Sequence, residues 1–155
     1  MQSTEGNGNG IARLSDEIAG VIESASQWLV RVDARRRISG SGVVWDASGL
    51  IVTADHVLER EENISVALPS GREFPATVVG RDPSSDLALL RIEGAELGAA
   101  PQGPAPKIGH MVFALGAATG TLTATSGMVT ALGGRSRNWR GGRSEEIIRT
   151  DTALY

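Results

Sequence analysis

Residues 38–53 read ISGSGVVWDASGLIVT, and this stretch decides the fold class. It contains two runs rich in β-branched residues, Ile38 to Trp45 and Leu50 to Thr53, separated by the turn-forming residues Asp46 to Gly49. Short apolar runs bounded by Asp, Ser and Gly are typical of β-strands joined by tight turns. The stretch therefore predicts two short strands of an all-β domain.

The same pattern extends in both directions along the chain, with turn residues at intervals of roughly 8 to 12 positions, as in sandwiches and barrels. Six runs lie before residue 95, a number that can close a small barrel. They are Trp28 to Asp33, Ile38 to Trp45, Leu50 to Thr53, Ile64 to Leu68, Phe74 to Val79 and Leu87 to Ile92. Three further runs lie after it: Met111 to Leu115, Thr121 to Leu132, which is long enough for one bent strand or two, and Glu146 to Thr150.

The remaining segments differ in composition from the strand-rich parts. Apolar residues at helical spacing, from Ile11 to Ala25, predict one amphipathic helix after a polar, glycine-rich start. Ala95 to Pro106 holds three prolines and two glycines, which indicates a surface connector. The expected organisation is a flexible lead over 1–10, a helix region over 11–27, a first β-barrel over 28–95, a connector over 96–107 and the first part of a second β-barrel over 108–155.

Composition and charge exclude several classes of function. The 155 residues carry a net charge of −3, so the broad basic surface needed for nucleic-acid binding is missing. No apolar run approaches the roughly 20 residues that span a bilayer, so no membrane span is expected. The chain has no cysteine, no cluster of metal ligands and no phosphate-cradling glycine loop before a helix, so we expect no metal and no organic cofactor.

Two residues at strand ends carry a candidate chemistry. His56 follows the run Leu50 to Thr53, and Asp86 directly precedes the run Leu87 to Ile92, so both should lie near one rim of the first barrel. A serine hydroxyl becomes nucleophilic when an imidazole removes its proton, and a carboxylate must hold that imidazole in one tautomer. We therefore interpret His56 as a general base and Asp86 as its orienting carboxylate.

Other polar residues near these two have simpler interpretations. Asp82 precedes a proline and is expected to initiate a turn, which leaves Asp86 as the buried partner of the histidine. Asp55 adjoins His56, but neighbours on an extended segment point to opposite faces, so we expect it to meet solvent or a loop. His110 is expected to be a surface residue, and the arginines at 35–37 to form a solvated loop.

Four segments in the same order resemble the HtrA (Deg) family of trypsin-like serine proteases. The similarity extends over about residues 14 to 155 and ends in Arg149-Thr150-Asp151-Thr152-Ala153. The segments are Ser39-Gly40-Ser41-Gly42-Val43-Val44, Thr53 to Val57, Asp82-Pro83-Ser84-Ser85-Asp86-Leu87-Ala88-Leu89-Leu90 and Thr125-Ser126-Gly127-Met128-Val129-Thr130-Ala131-Leu132-Gly133. The resemblance implies a chymotrypsin-like double β-barrel with the first barrel complete, the second truncated and a short helix before them.

The resemblance also implies a function and a setting. Such proteases hydrolyse unfolded or misfolded polypeptides through an acyl-enzyme, are commonly trimers built through the N-terminal region, and lie outside the bacterial cytoplasm. In the family, the segment Gly134 to Ser144 is a regulatory loop. Gly116-Ala117-Ala118-Thr119-Gly120 departs from the family, in which many members carry a proline and an aromatic residue after the glycine.

By the family pattern, Tyr155 falls about four residues before the nucleophilic serine. We therefore expect the chain alone to be inactive, and a continuation or complementary segment to complete the second barrel. Two other functions stay open: a catalytically dead module that binds peptides or acts as a chaperone, and a structural β-barrel with coincidental motifs. A glycine-flanked serine after Tyr155 would favour the protease over the dead module.

Overall fold

The computed structural model describes residues 5–35, 38–118, 120–133, 136–137, 143–144 and 147–153. Most of the expected regulatory loop at 134–144 lies outside these residues, as do two of the arginines at 35–37. The described residues form one long helix, a closed six-stranded barrel, a three-stranded sheet and a two-stranded pair. This architecture confirms the predicted all-β class with a helix before the first barrel.

Helix α1 spans Glu5–Ser26 and is longer than the sequence predicts. The expectation of a flexible lead over 1–10 is wrong for residues 5–10, where the backbone is already helical. Each glycine there costs roughly 1 kcal/mol relative to alanine in a helix, which weakens but does not forbid an extension of an existing helix. Within the described ranges, no helix combines the length and the apolar character required to cross a membrane.

Six antiparallel strands close the first barrel in the order β1-β2-β3-β6-β5-β4. The strands are β1 (Leu29–Asp33), β2 (Gly40–Val44), β3 (Leu50–Ala54), β4 (Ile64–Ala67), β5 (Glu73–Asp82) and β6 (Leu87–Ile92). Five of them follow the predicted runs within two residues at each end. Strand β5 continues three residues beyond the predicted end at Val79 because a register shift between Val78 and Gly80 interrupts its alternation without ending its pairing to β6.

Alternating side chains of these strands fill the barrel. Val30 and Val32 of β1 point inward, as do Ala88, Leu90 and Ile92 of β6. The buried residues form one cluster inside the barrel, to which β2, β3, β4 and β5 also contribute. A core built from every strand explains why short β-rich runs separated by turn residues predict the barrel so well.

The second sheet has the order β11-β8-β7 and is antiparallel. It consists of β7 (Met111–Gly116), β8 (Thr123–Leu132) and β11 (Ile148–Thr150), while β9 (Ser136–Arg137) pairs with β10 (Arg143–Ser144). The expected run Thr121 to Leu132 is therefore one strand rather than two. Exposed apolar side chains lie on this sheet, among them Met111, Met128, Leu132 and Ile148.

The turn between β5 and β6 is held by one carboxylate. Asp82 accepts hydrogen bonds from the backbone N of Ser84 at 2.9 Å, from its Oγ at 2.6 Å and from the Oγ of Ser85 at 2.6 Å. These bonds, led by the one from the Ser84 hydroxyl, lower the pKa of Asp82 from 3.8 to about 2. The expectation that Asp82 initiates a turn is confirmed, and this turn delivers the chain to Asp86.

A glycine substitution tests how tightly the turn between β2 and β3 fits the barrel. Gly49 has φ 94°, and an added Cβ would clash with the carbonyl oxygen of Ile92. Gly71 in the β4–β5 turn has φ 82° but open space around it, so Gly71→Ala isolates the cost of the left-handed backbone. We expect Gly71→Ala to lower the unfolding free energy by about 1 kcal/mol and Gly49→Ala by about 3 kcal/mol, measured by denaturant unfolding. Equal losses would contradict the clash.

The Asp82 turn predicts a defined pH dependence. The carboxyl pKa is lower in the folded state, so its stabilising contribution is fully present above about pH 4 and disappears as the pH falls through about 2. The double variant Ser84→Ala/Ser85→Ala should raise the pKa of Asp82 and be less stable than wild type at pH 7, with the difference shrinking toward pH 2. Carboxyl NMR titration and denaturant unfolding measure both effects. Ser70→Ala, an exposed turn serine, is the control and should change neither.

Candidate active site

His56 lies on a single turn of 3-10 helix, Asp55–Val57, that begins where β3 ends. The backbone N of Leu58 donates to the carbonyl of Asp55 at 3.0 Å and closes this turn. Val57 is buried against Gly40, where an added Cβ would clash with the Val57 methyl groups. With its two neighbours buried, His56 is the residue of the turn that faces outward, and its side chain is 49% exposed.

Asp86 lies at the other side of the same barrel rim, directly before β6. Strands β3 and β6 pair from Leu50 opposite Arg91 to Ala54 opposite Leu87, and the backbone N of Asp55 then donates to the carbonyl of Asp86 at 3.1 Å. Asp86 adopts a left-handed backbone with φ 60°, a conformation that aspartate tolerates better than most residues. The strand pairing therefore brings Asp86 beside the turn that carries His56.

The two side chains meet through both oxygens of the carboxylate. Asp86 Oδ2 lies 2.6 Å from His56 Nδ1, and Asp86 Oδ1 accepts the backbone N–H of His56 at 2.9 Å. An ionised carboxylate only accepts hydrogen bonds, so the proton of the neutral imidazole belongs on Nδ1. This tautomer leaves Nε2 with a free lone pair, the form that a general base requires.

The surroundings of the Asp86 carboxylate differ from the expectation. We expected a buried partner for His56, but the Asp86 side chain is 31% exposed. The reason is its position at the rim, where Leu87 beside it is also exposed and the inward-facing part of β6 begins only at Ala88. The interaction of Asp86 with His56 thus depends on hydrogen-bond geometry more than on the exclusion of water.

Asp55 is the buried carboxylate of this region, which corrects the expectation that it meets solvent or a loop. The backbone here is a 3-10 turn, so the alternation of an extended strand does not apply. Asp55 is 2% exposed, and its Oδ1 accepts a hydrogen bond from Arg81 Nε at 2.6 Å. This bond with Asp55 raises the pKa of Arg81, which also bonds Glu61 at 3.1 Å. The sequence prediction missed Arg81, although Gly80 inside a strand pattern is a known signal of a bulge.

Arg35 also contacts the histidine turn. Its Nη2 donates to the carbonyl oxygen of His56, and its Nε lies 3.6 Å from Glu59 Oε1. The expectation of a solvated arginine loop is therefore wrong for Arg35, because a carbonyl at the barrel rim binds its guanidinium.

His110, the second histidine of the chain, lies on the surface. It is exposed, and its Nδ1 accepts the backbone N–H of Lys107 at 3.2 Å, as expected for a surface residue. Across the ranges that the structure describes, no group of three or more His, Cys, Asp or Glu side chains is arranged to hold a metal ion.

Comparisons with known proteins point to one family. Residues 40–155 match the family model of the trypsin-like peptidase domain. The chain is 40% identical over 120 residues to the periplasmic serine endoprotease DegP of Salmonella typhimurium, which covers 74% of this chain and 25% of the relative. It is 36% identical over 124 residues to the serine endoprotease DegS of Escherichia coli K12, which covers 76% of this chain and 34% of the relative.

A solved structure shows the same fold. The crystal structure of Deg5 matches with a TM-score of 0.77 and 30% identity, over 91% of this chain and 75% of that one. The chain spans about a quarter to a third of the length of the two curated relatives. Family model, sequence relatives and fold agree: the chain belongs to the HtrA (Deg) family of trypsin-like serine proteases.

Proposed function

We propose that this chain supplies the general base and its orienting carboxylate to a serine endopeptidase of the HtrA type. One observation carries the proposal: the Asp86 carboxylate bonds His56 at Nδ1, at 2.6 Å, and at the backbone N, at 2.9 Å. The first bond selects the tautomer and the second fixes the carboxylate against the turn. Together they define where the free lone pair of Nε2 points.

The proposed reaction uses this arrangement directly. His56 Nε2 takes the proton of a serine hydroxyl as the serine oxygen attacks the carbonyl carbon of a peptide bond. The imidazolium that forms is stabilised by the negative charge of Asp86. It then gives the proton to the leaving amine nitrogen as the C–N bond breaks, and water removes the acyl group by the same steps.

The serine and the oxyanion-hole donors belong, in this proposal, to a segment outside residues 1–155. The exposed apolar residues of β7, β8 and β11 support such a segment, because Met111 pairs with Met128 and Ile148 with Leu132, and exposed apolar pairs on a sheet favour a covering partner. The chain alone is predicted to be inactive, because the proposed nucleophile belongs to that segment. The homotrimer also stays a prediction.

We base the proposed substrate and compartment on the named relatives. DegP is named a periplasmic serine endoprotease, and DegQ of Escherichia coli K12, 38% identical over 121 residues, is named a periplasmic pH-dependent serine endoprotease. We propose the same extracytoplasmic setting for this protein, with unfolded or misfolded polypeptides as its substrates. A catalytically dead module that only binds peptides would share this setting, so only a measurement of catalysis separates the two.

The first experiment compares the two histidines of the chain. The full-length protein should react with a fluorophosphonate probe, and His56→Ala should slow labelling and peptide hydrolysis on the order of 10⁶-fold, as loss of a triad member does in comparable enzymes. His110→Ala is the control and should leave both rates unchanged, because the His110 side chain is exposed and accepts only the backbone N–H of Lys107 among the described residues. The assay includes samples with added peptide ligand, so that an enzyme resting in an inactive loop state is also detected. Absence of labelling in stimulated wild type would instead support the dead module.

The second experiment tests the carboxylate. Asp86→Asn keeps the size of the side chain but offers an amide that can favour the other imidazole tautomer, so kcat should fall roughly 10⁴-fold. Asp46→Asn is the control: Asp46 also accepts backbone and hydroxyl hydrogen bonds in a turn, from Ser48, and belongs to the remote β2–β3 connection. Full activity of a folded Asp86→Asn protein would remove Asp86 from the mechanism.

A further inference from the structure

Arg81 holds both ends of the turn that carries His56. Its Nε donates to Asp55 Oδ1 at 2.6 Å, at the first residue of the turn. Its Nη2 donates to two carbonyl oxygens, that of Asp55 at 3.3 Å and that of Leu58 at 3.1 Å. One planar guanidinium therefore spans the turn from its start to the residue after its end.

A β-bulge places Arg81 in this position. Val78 of β5 lies opposite Leu90, and Gly80 lies opposite Leu89, so Val79 is one extra residue in the ladder. After the bulge, Arg81 lies opposite Ala88, a residue that faces the core. A one-residue shift exchanges the two faces of a strand, so without the bulge Arg81 would lie on the outer face of the barrel.

The burial of Asp55 means that its carboxylate needs a charged, hydrogen-bonding partner. Asp55 is 2% exposed and the Arg81 side chain 27% exposed, so the carboxylate lies away from water beside a half-buried guanidinium. A carboxylate so placed is stable as an ion only if it is paired and hydrogen-bonded. The fork of arginine meets this need and binds two carbonyls as well, which the point charge of lysine cannot do in the same way.

The same turn is bonded to Asp86, and this links Arg81 to the candidate catalytic pair. The backbone N of Asp55 donates to the Asp86 carbonyl at 3.1 Å, and the next backbone N, of His56, donates to the Asp86 carboxylate at 2.9 Å. The length of the Nδ1 to Oδ2 contact, 2.6 Å, therefore depends on where the turn lies relative to Asp86. Arg35 bonds the middle of the turn at the His56 carbonyl, whereas Arg81 bonds both its ends.

We propose that Arg81 is a positioning residue for His56: it closes the 55–58 turn on a buried Asp55 and so keeps the imidazole in register with Asp86. The proposal rests on the function proposed above, in which His56 is the general base. Arg81 touches no reacting atom. Its loss lets the turn open, so that the Nδ1 contact lengthens and the selection of the tautomer weakens.

The first test reads the tautomer directly, in the full-length protein, by ¹⁵N NMR of labelled histidine rings, with the His56 signals assigned by their loss in His56→Ala. Wild type should show His56 with its proton on Nδ1. Arg81→Gln should give a mixture of tautomers, and so should Asp55→Asn/Arg81→Gln, which leaves no unpaired buried charge and keeps the test valid if the single variant does not fold. Arg91→Gln, on the neighbouring strand β6 and bonded to Ser48, is the control and should match wild type. A pure Nδ1–H tautomer in the folded double variant would overturn the proposal.

The second test measures hydrolysis by the full-length protein. A displacement of the base by about 1 Å can cost on the order of a hundredfold in rate, so the double variant should lose about that factor in kcat with little change in KM. Unchanged kcat would overturn the positioning role. If wild type proves inactive while the double variant still loses the Nδ1–H tautomer, the proposed function fails and the positioning role stands. If wild type is active and both variants keep tautomer and kcat, the positioning role fails and the function stands.

Discussion

The antiparallel pairing of β3 with β6 is the constraint on which the site depends. The five residue pairs from Leu50–Arg91 to Ala54–Leu87 place the end of one strand beside the start of the other. Thirty positions of sequence separate His56 from Asp86, yet the ladder ends at the pair Ala54–Leu87, two residues before His56 and one residue after Asp86. The barrel core fixes this register, because a slip of one residue would turn Ile51 and Leu90 out of the interior.

The backbone at the barrel rim is irregular at two places, Asp86 and the bulge at Val79, and both supply residues that bond the turn carrying His56. Asp86 has φ 60°, which costs roughly 1 kcal/mol for a residue with a Cβ. Its two hydrogen bonds to His56, the bond from Asp55 N to its carbonyl and the preceding Asp82 turn offset that cost. The bulge at Val79 is a second local irregularity, and it supplies Arg81. Asp86 bonds His56 directly and the bulge brings Arg81 to the turn that carries His56, in keeping with the frequent occurrence of bulges and unusual backbone at functional sites.

Short β-rich runs with turn residues between them made most of the barrel predictable from the sequence. Each of the six barrel runs is bounded by such residues, so the strands could be read within two residues in five cases. His56 and Asp86 could be found because they adjoin strands within distinctive segments. Arg81 and Asp55 could not, since their meeting depends on one inserted residue in β5 and on a 3-10 turn after β3. Neither the inserted residue in β5 nor the 3-10 turn leaves a repeating pattern in the sequence, and only Gly80 indicated the insertion. The helical start at Glu5 was missed because glycines weaken a helix without ending one.

Three aspartates near the rim serve different ends because their surroundings differ. Asp82 accepts hydroxyl and amide hydrogen bonds from its own turn, which keep it ionised and shape the loop. Asp55 is buried and faces Arg81, so its charge is compensated by a guanidinium at 2.6 Å. Asp86 directs both oxygens at His56. Because Arg81 compensates Asp55, Asp86 is the carboxylate whose charge acts on the imidazole directly. The buried Asp55 thus holds the turn through Arg81, while Asp86 bonds the imidazole nitrogen of His56.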